Sequence, residues 1–140
     1  MKKAVLVSLI AALGACQQSD EPTLEQAKTL WEQGRPAQYA LTYVKRCFCA
    51  GDGVSMTVRV KDRSVESLNG TPSGQLTGAD RENVLTVERL FQFVGDSGTP
   101  NVKIAAKYDR KLGYPIEVKI DSGGVRDGDA TITVTAFEAR

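Results

Sequence analysis

A chain of 140 residues with 41% hydrophobic and 25% charged content supplies one ordinary globular domain and too little for two. The 18 Lys and Arg against 17 Asp and Glu leave a formal charge of +1, so no global field draws in nucleic acid. Histidine is absent, which excludes mechanisms that use imidazole as general base, proton shuttle or metal ligand, Ser-His-Asp and Cys-His catalysis among them.

Lys2 and Lys3 open the chain with positive charge, and Ala4 to Ala15 form an apolar run of 12 residues interrupted only by Ser8. That is the length of a secretory h-region, whereas a membrane-spanning helix needs about 20 apolar residues. An ordinary signal peptide cut beside a cysteine, or a buried N-terminal helix, would leave the same run. The segment Leu13-Gly14-Ala15-Cys16 resembles the lipobox of bacterial lipoproteins, whose small residues fit the signal peptidase. The resemblance implies removal of residues 1–15, a thioether from Cys16 to a diacylglycerol, and an acyl chain on the new amine. Each buried methylene contributes about 0.8 kcal/mol, so two or three chains make the attachment long-lived where one does not. Gln17 rather than Asp after Cys16 resembles the outer-membrane pattern of Gram-negative lipoproteins. The expected organisation is a signal peptide over 1–15, lipidated Cys16 with a polar tether over 16–23, and one domain over 24–140. The mature chain then has 125 residues, with 16 basic and 17 acidic.

From Thr23 the pattern turns helical. Leu24, Ala27, Leu30 and Trp31 recur at helical spacing, and Gly34-Arg35-Pro36 stops them. Tyr39 to Cys49 reads as a strand with apolar character on both faces, and Gly51-Asp52-Gly53 as the turn after it. Val54, Met56, Val58 and Val60 alternate with polar residues in a half-buried strand, and Asp62-Arg63 turns it into a short strand over 65–68. Residues 69–80, with three glycines and a proline, read as a loop. Thr86 is the expected N-cap of a second helix carrying Val87, Leu90, Phe91 and Val94. Val102 to Tyr108, Tyr114 to Ile120 and Ala130 to Phe137 alternate as three more strands, the last two separated by a Gly- and Asp-rich turn. Hairpin-length connections require antiparallel pairing. The expected fold is therefore α+β: an antiparallel sheet of about five to six strands with two helices packed on one face.

Several fragments coincide along the domain: Trp31, Tyr39-x-x-x-Tyr43 leading to Cys47-x-Cys49, the Thr86-Val87-x-x-Leu90-Phe91 helix, and Tyr108-Asp109-x-x-x-Gly113-Tyr114-Pro115. Together they resemble a family of secreted bacterial proteins and lipoproteins known only as a domain of unknown function, over about residues 27–138. The resemblance implies fold and export and brings no activity or catalytic residue. Asp127 and Asp129 match the acidic residues that commonly precede the family's last strand.

With Cys16 lipidated, Cys47 and Cys49 are an even pair in an oxidising compartment, where a disulfide is the default. In an extended strand their α-carbons would lie about 6.6 Å apart, the upper limit for a bridge, so a bend or bulge is needed. An unbridged core pair and a redox or metal role stand beside that reading. Two thiolates without histidine leave a tetrahedral ion short of ligands. Asp121, Asp127 and Asp129 around Gly123-Gly124 read as hairpin turn chemistry, with Ca²⁺ ligation the alternative. Arg59, Lys61, Lys103, Lys107, Arg110 and Lys111 read as a solvated sheet face, or else a basic surface for anionic lipid or glycan. The four tyrosines and Trp31 read as core anchors more than as ligand contacts. No Ser-x-x-Lys motif occurs, so no nucleophile is evident.

The sum of these features predicts a non-enzymatic, lipid-anchored protein of the cell envelope, at the outer membrane facing the periplasm. It needs no cofactor and no metal. Its partners are the membrane, through lipid on Cys16, and an envelope protein or small ligand held by the domain. The alternatives are a thiol-redox or metal-handling protein using Cys47 and Cys49, and an inhibitor of a periplasmic enzyme.

Overall fold

The computed structural model describes residues 21–96, 100–125 and 127–140, so the expected signal peptide, Cys16 and residues 17–20 lie outside the described residues. Helix α1 (Leu24–Gly34) starts at a reciprocal capping box. Thr23 Oγ1 accepts from the Gln26 N–H at 3.3 Å, and the Gln26 side chain accepts from the Thr23 N–H at 2.9 Å. Strands β1 (Gln38–Cys47), β2 (Ser55–Lys61), β3 (Ser64–Leu68) and β4 (Thr71–Pro72) follow. A 3-10 turn over Ser73–Gln75 leads into α2 (Gly78–Asn83) and α3 (Val87–Gly95). Strands β5 (Lys103–Tyr108), β6 (Pro115–Asp121) and β7 (Ala130–Ala139) complete the domain.

All neighbouring strands pair antiparallel in one open sheet of order β4-β3-β2-β1-β7-β6-β5. The α+β class is as expected, but the described residues hold seven strands and three α-helices rather than five to six strands and two helices. The difference lies in residues 69–80. Strand β4 has two residues, too few for any alternation, and α2 buries none of its side chains, so neither carries an apolar pattern. The signal for α2 is the Thr77-x-x-Asp80 capping box, in which the Asp80 carboxylate accepts from the Thr77 N–H at 3.0 Å.

One face of the sheet and the apolar stripes of α1 and α3 make the core. Tyr39, Leu41 and Tyr43 of β1 lie beside Val60, Val58 and Met56 of β2 in register, and Val118 and Ile132 extend the face across β6 and β7. Trp31 from α1 and Val87, Leu90 and Phe91 from α3 cover it. Full burial of such a side chain stabilises by about 1.5–3 kcal/mol. The opposite face carries Thr42 and Thr57, 3.0 Å apart, and an exposed Lys107–Glu117–Lys119 ion-pair group. Among the described residues no helix is long and apolar enough to cross a membrane.

The Tyr108-to-Pro115 motif is a clasp between the β5–β6 hairpin and α1. Asp109 Oδ1 accepts from the N–H groups of Lys111 at 3.0 Å and Leu112 at 2.6 Å, closing the turn. Gly113 takes φ +80° and lies so close to α1 that a Cβ there would overlap the Ala27 carbonyl oxygen. Tyr114 stacks on Phe137 at 4.4 Å between centroids, and Tyr108 stacks on Phe91 at 6.2 Å. Trp31 stands edge-on to Tyr39 at 5.4 Å, which makes it the helix-on-sheet anchor.

Candidate functional site

Strand β1 carries Tyr43, Lys45 and Cys47 on its core face, and the helices cover only the first of them. The Tyr43 hydroxyl donates to the Asn83 carbonyl at 2.7 Å and accepts from the Leu85 N–H at 3.1 Å, which pins the α2–α3 junction onto β1. Burial pushes this hydroxyl's ionisation upward. Beyond that pin a groove of about 320 Å³ opens. Tyr43, Lys45 and Ile132 form its floor, Val54 and Met56 one wall, and Leu85 and Phe93 the other.

Cys47 and Cys49 form a close pair that lines the groove. Its α-carbons are 5.3 Å apart, closer than an extended strand allows, because β1 ends at Cys47 and the chain bends through Phe48 and Cys49. The 48–54 turn is held by its own bonds. Asp52 Oδ1 accepts from the Cys47 N–H at 3.0 Å, and the Gly53 N–H donates to the Lys45 carbonyl at 2.9 Å. Cys47 is half-buried and Cys49 exposed. The pair is therefore covered neither by Phe48 nor by Trp31, which packs at the other end of β1.

Two of the four large hydrophobic residues exposed among the described residues line this groove. These are Val54 (51% exposed) and Phe93 (36%); Phe48 (81%), between the two cysteines in sequence, and Val125 (68%), in the β6–β7 connection, do not line it. Among the described residues, the groove's charged lining is one ammonium, Lys45, against the carboxylates of Glu82, Asp127 and Asp129. The Ser122 N–H, at 2.9 Å, and its hydroxyl, at 2.8 Å, donate to Asp129 and hold its carboxyl below the usual range, so it stays ionised at neutral pH. A second depression, about 650 Å³ and wider, lies beside Val65, Leu76, Arg81 and Arg89 and has none of these exposed hydrophobics.

Residues 23–139 match the family described as "Family of unknown function (DUF6174)". The chain belongs to this family. No curated protein and no solved structure matches the chain significantly. The match to DUF6174 runs from the Thr23 cap to the end of β7, so the clasp and the groove both lie within the family domain. The resemblance read over residues 27–138 pointed to a family of this kind.

Other residues singled out in the sequence fall away from the groove. Tyr39, Tyr108 and Tyr114 pack in the core, and of the tyrosines only Tyr43 lines the groove. Arg59 and Lys61 on β2 are separated from Lys103 and Lys107 on β5 by β1, β7 and β6, roughly 19 Å of sheet, so they form no joint basic surface. Asp121 accepts from the Gly123 N–H at 2.9 Å and Asp129 from Ser122, which is turn chemistry. Among the described residues no group of three or more metal-ligating side chains converges.

Glu88 was not singled out in the sequence. The Trp31 indole N–H donates to its Oε1 at 3.1 Å and the Tyr39 hydroxyl to its Oε2 at 3.1 Å, tying α1, β1 and α3 together. Phe93 was missed as well, although an aromatic residue lying off the Val87-Leu90-Phe91-Val94 stripe was its signal.

Proposed function

We propose that the chain is a lipid-anchored protein of the bacterial envelope whose domain docks an apolar segment of another polypeptide that also carries a basic side chain. It acts by binding rather than by catalysis. The observation that carries this reading is a groove lined by two exposed hydrophobic residues, Val54 and Phe93, and, among the described residues, by three carboxylates against one ammonium. A cluster of exposed apolar residues is what a docking surface needs. Glu82, Asp127 and Asp129 against Lys45 favour an occupant with positive charge over one with negative charge.

Anchoring is supported by Lys2 and Lys3, the apolar run and Leu13-Gly14-Ala15-Cys16. Lipid on Cys16 would enter the domain at α1, which packs by Ala27 and Leu30 on the Gly113 turn. The groove lies at the Cys47 end of β1, and eight residues of strand, roughly 26 Å, separate Cys47 from Tyr39 beside α1.

The test is fluorescence anisotropy of full-length protein in detergent with a labelled dodecapeptide of Leu, Val and Phe carrying two Lys, beside the same peptide carrying two Glu. The expected result is binding of the Lys peptide at least 10-fold tighter than the Glu peptide, lost in Phe93→Asp. Equal affinities, or binding unchanged by Phe93→Asp, would overturn the reading.

A further inference from the structure

Resting on that docking reading, we propose that Cys47 and Cys49 are joined in a disulfide that captures the docked partner covalently, by thiol–disulfide exchange at Cys49. The two sulfurs are not equivalent. Cys49 is exposed on a bend, whereas Cys47 is half-buried at the end of β1, paired in register with Ala130 and bonded through its N–H to Asp52. An incoming thiolate reaches the exposed sulfur, and the sulfur it displaces belongs to the fixed strand.

The bridge has little structural work. It encloses a single residue, Phe48, and the stabilisation a cross-link supplies through chain entropy falls as the closed loop shortens. The surrounding turn is secured separately by the Gly53-to-Lys45 and Cys47-to-Asp52 hydrogen bonds and by the Arg46–Asp52 ion pair at 4.0 Å. Opening the disulfide therefore leaves the groove standing. Val54 and the exposed Cys49 both line the groove, so a segment resting on Val54 lies beside Cys49.

In the exchange a cysteine thiolate of the docked segment forms a bond to Cys49 Sγ while the Cys47–Cys49 bond breaks. The bonding electron pair leaves on Cys47, which takes up from solvent the proton that the incoming thiol released. One disulfide replaces another, so no external oxidant or reductant is consumed. Return of the Cys47 thiolate to Cys49 releases the partner as a thiol, which makes the capture reversible.

The test uses oxidised full-length protein and two Lys-bearing apolar dodecapeptides, one with a single Cys and one with Ser in its place. Anisotropy reads binding of the Ser peptide. Acid-quenched mass spectrometry reads the rate and site of the adduct with the Cys peptide, with glutathione at equal thiolate concentration as the undocked reference. The expected result is an adduct on Cys49 formed at least 10-fold faster than with glutathione, the advantage disappearing in Phe93→Asp and Val54→Asp. Both variants change exposed side chains and keep the core. If the Ser peptide binds but the Cys peptide gains no advantage, or the adduct maps to Cys47, covalent capture is overturned while docking stands. If the Ser peptide fails to bind, both readings fall. A fast Cys49 adduct that the two variants leave unchanged overturns capture through the groove.

Discussion

The Tyr39 hydroxyl donates to Glu88 Oε2 at 3.1 Å and in turn accepts from the Val87 N–H at 3.2 Å, so the start of α3 is bonded to the central strand β1. Trp31 donates to the other carboxylate oxygen. Glu88→Ala strips two buried donors of their acceptor, and each such loss costs about 1–3 kcal/mol. The expected destabilisation is about 3 kcal/mol by urea denaturation, with Glu88→Gln, which keeps one acceptor oxygen, near 1 kcal/mol. A loss below about 1 kcal/mol for Glu88→Ala would contradict this role.

Burial, and then the Glu88 carboxylate, push the Tyr39 ionisation well above the ordinary tyrosine range, and burial raises Tyr43 as well. The unfolded chain ionises these groups near pH 10. Their contribution to stability is therefore intact below pH 10 and is lost as pH rises above it toward the folded values. Tyr39→Phe is expected to be less stable at pH 7, by about 1 kcal/mol, and to lose less stability than the native chain between pH 9 and 11. Urea midpoints across that interval check both signs.

Gly113 and Gly124 both have positive φ, but only Gly113 is crowded, by the Ala27 carbonyl and by Leu30 Cβ at 2.9 Å. Gly113→Ala is expected to destabilise by about 3 kcal/mol, because backbone strain and overlap add. Gly124→Ala meets open space and is expected to lose only about 1 kcal/mol. Similar losses at the two positions, measured by thermal or urea unfolding, would show that the clasp yields to α1 without resistance.

Periodicity made most of this fold legible. The alternation in Val54 to Lys61, the helical pattern from Thr23, the Thr86 cap and the β-branched run from Ala130 each correspond to an observed element, because each side faces either core or water. Strand β4 and α2 were not legible, since neither buries a side chain. Glu88 carries no local signal beyond its place in the first turn of α3, and its partners lie 57 and 49 residues away. Cys47 and Cys49 were visible as a pair together with the bend they require. The groove around them was not, because it depends on β7 pairing with β1, which sets Ala130 opposite Cys47.

For the anchor, intact mass of the protein from native bacterial cells is expected to show a chain beginning at Cys16 with diacylglyceryl and acyl adducts, and Cys16→Ser is expected to lose both. Retention of Met1, or an unmodified Cys16, would contradict lipid anchoring.

The most direct measurement of the docking surface is a titration of isotope-labelled full-length protein with the Lys-bearing peptide, followed by backbone amide chemical shifts. The account predicts saturable shifts concentrated at Phe48, Val54, Phe93 and Asp127 to Ala130. Shifts concentrated instead at Val65, Leu76 and Arg89 around the wider depression, or none at saturating peptide, would contradict it.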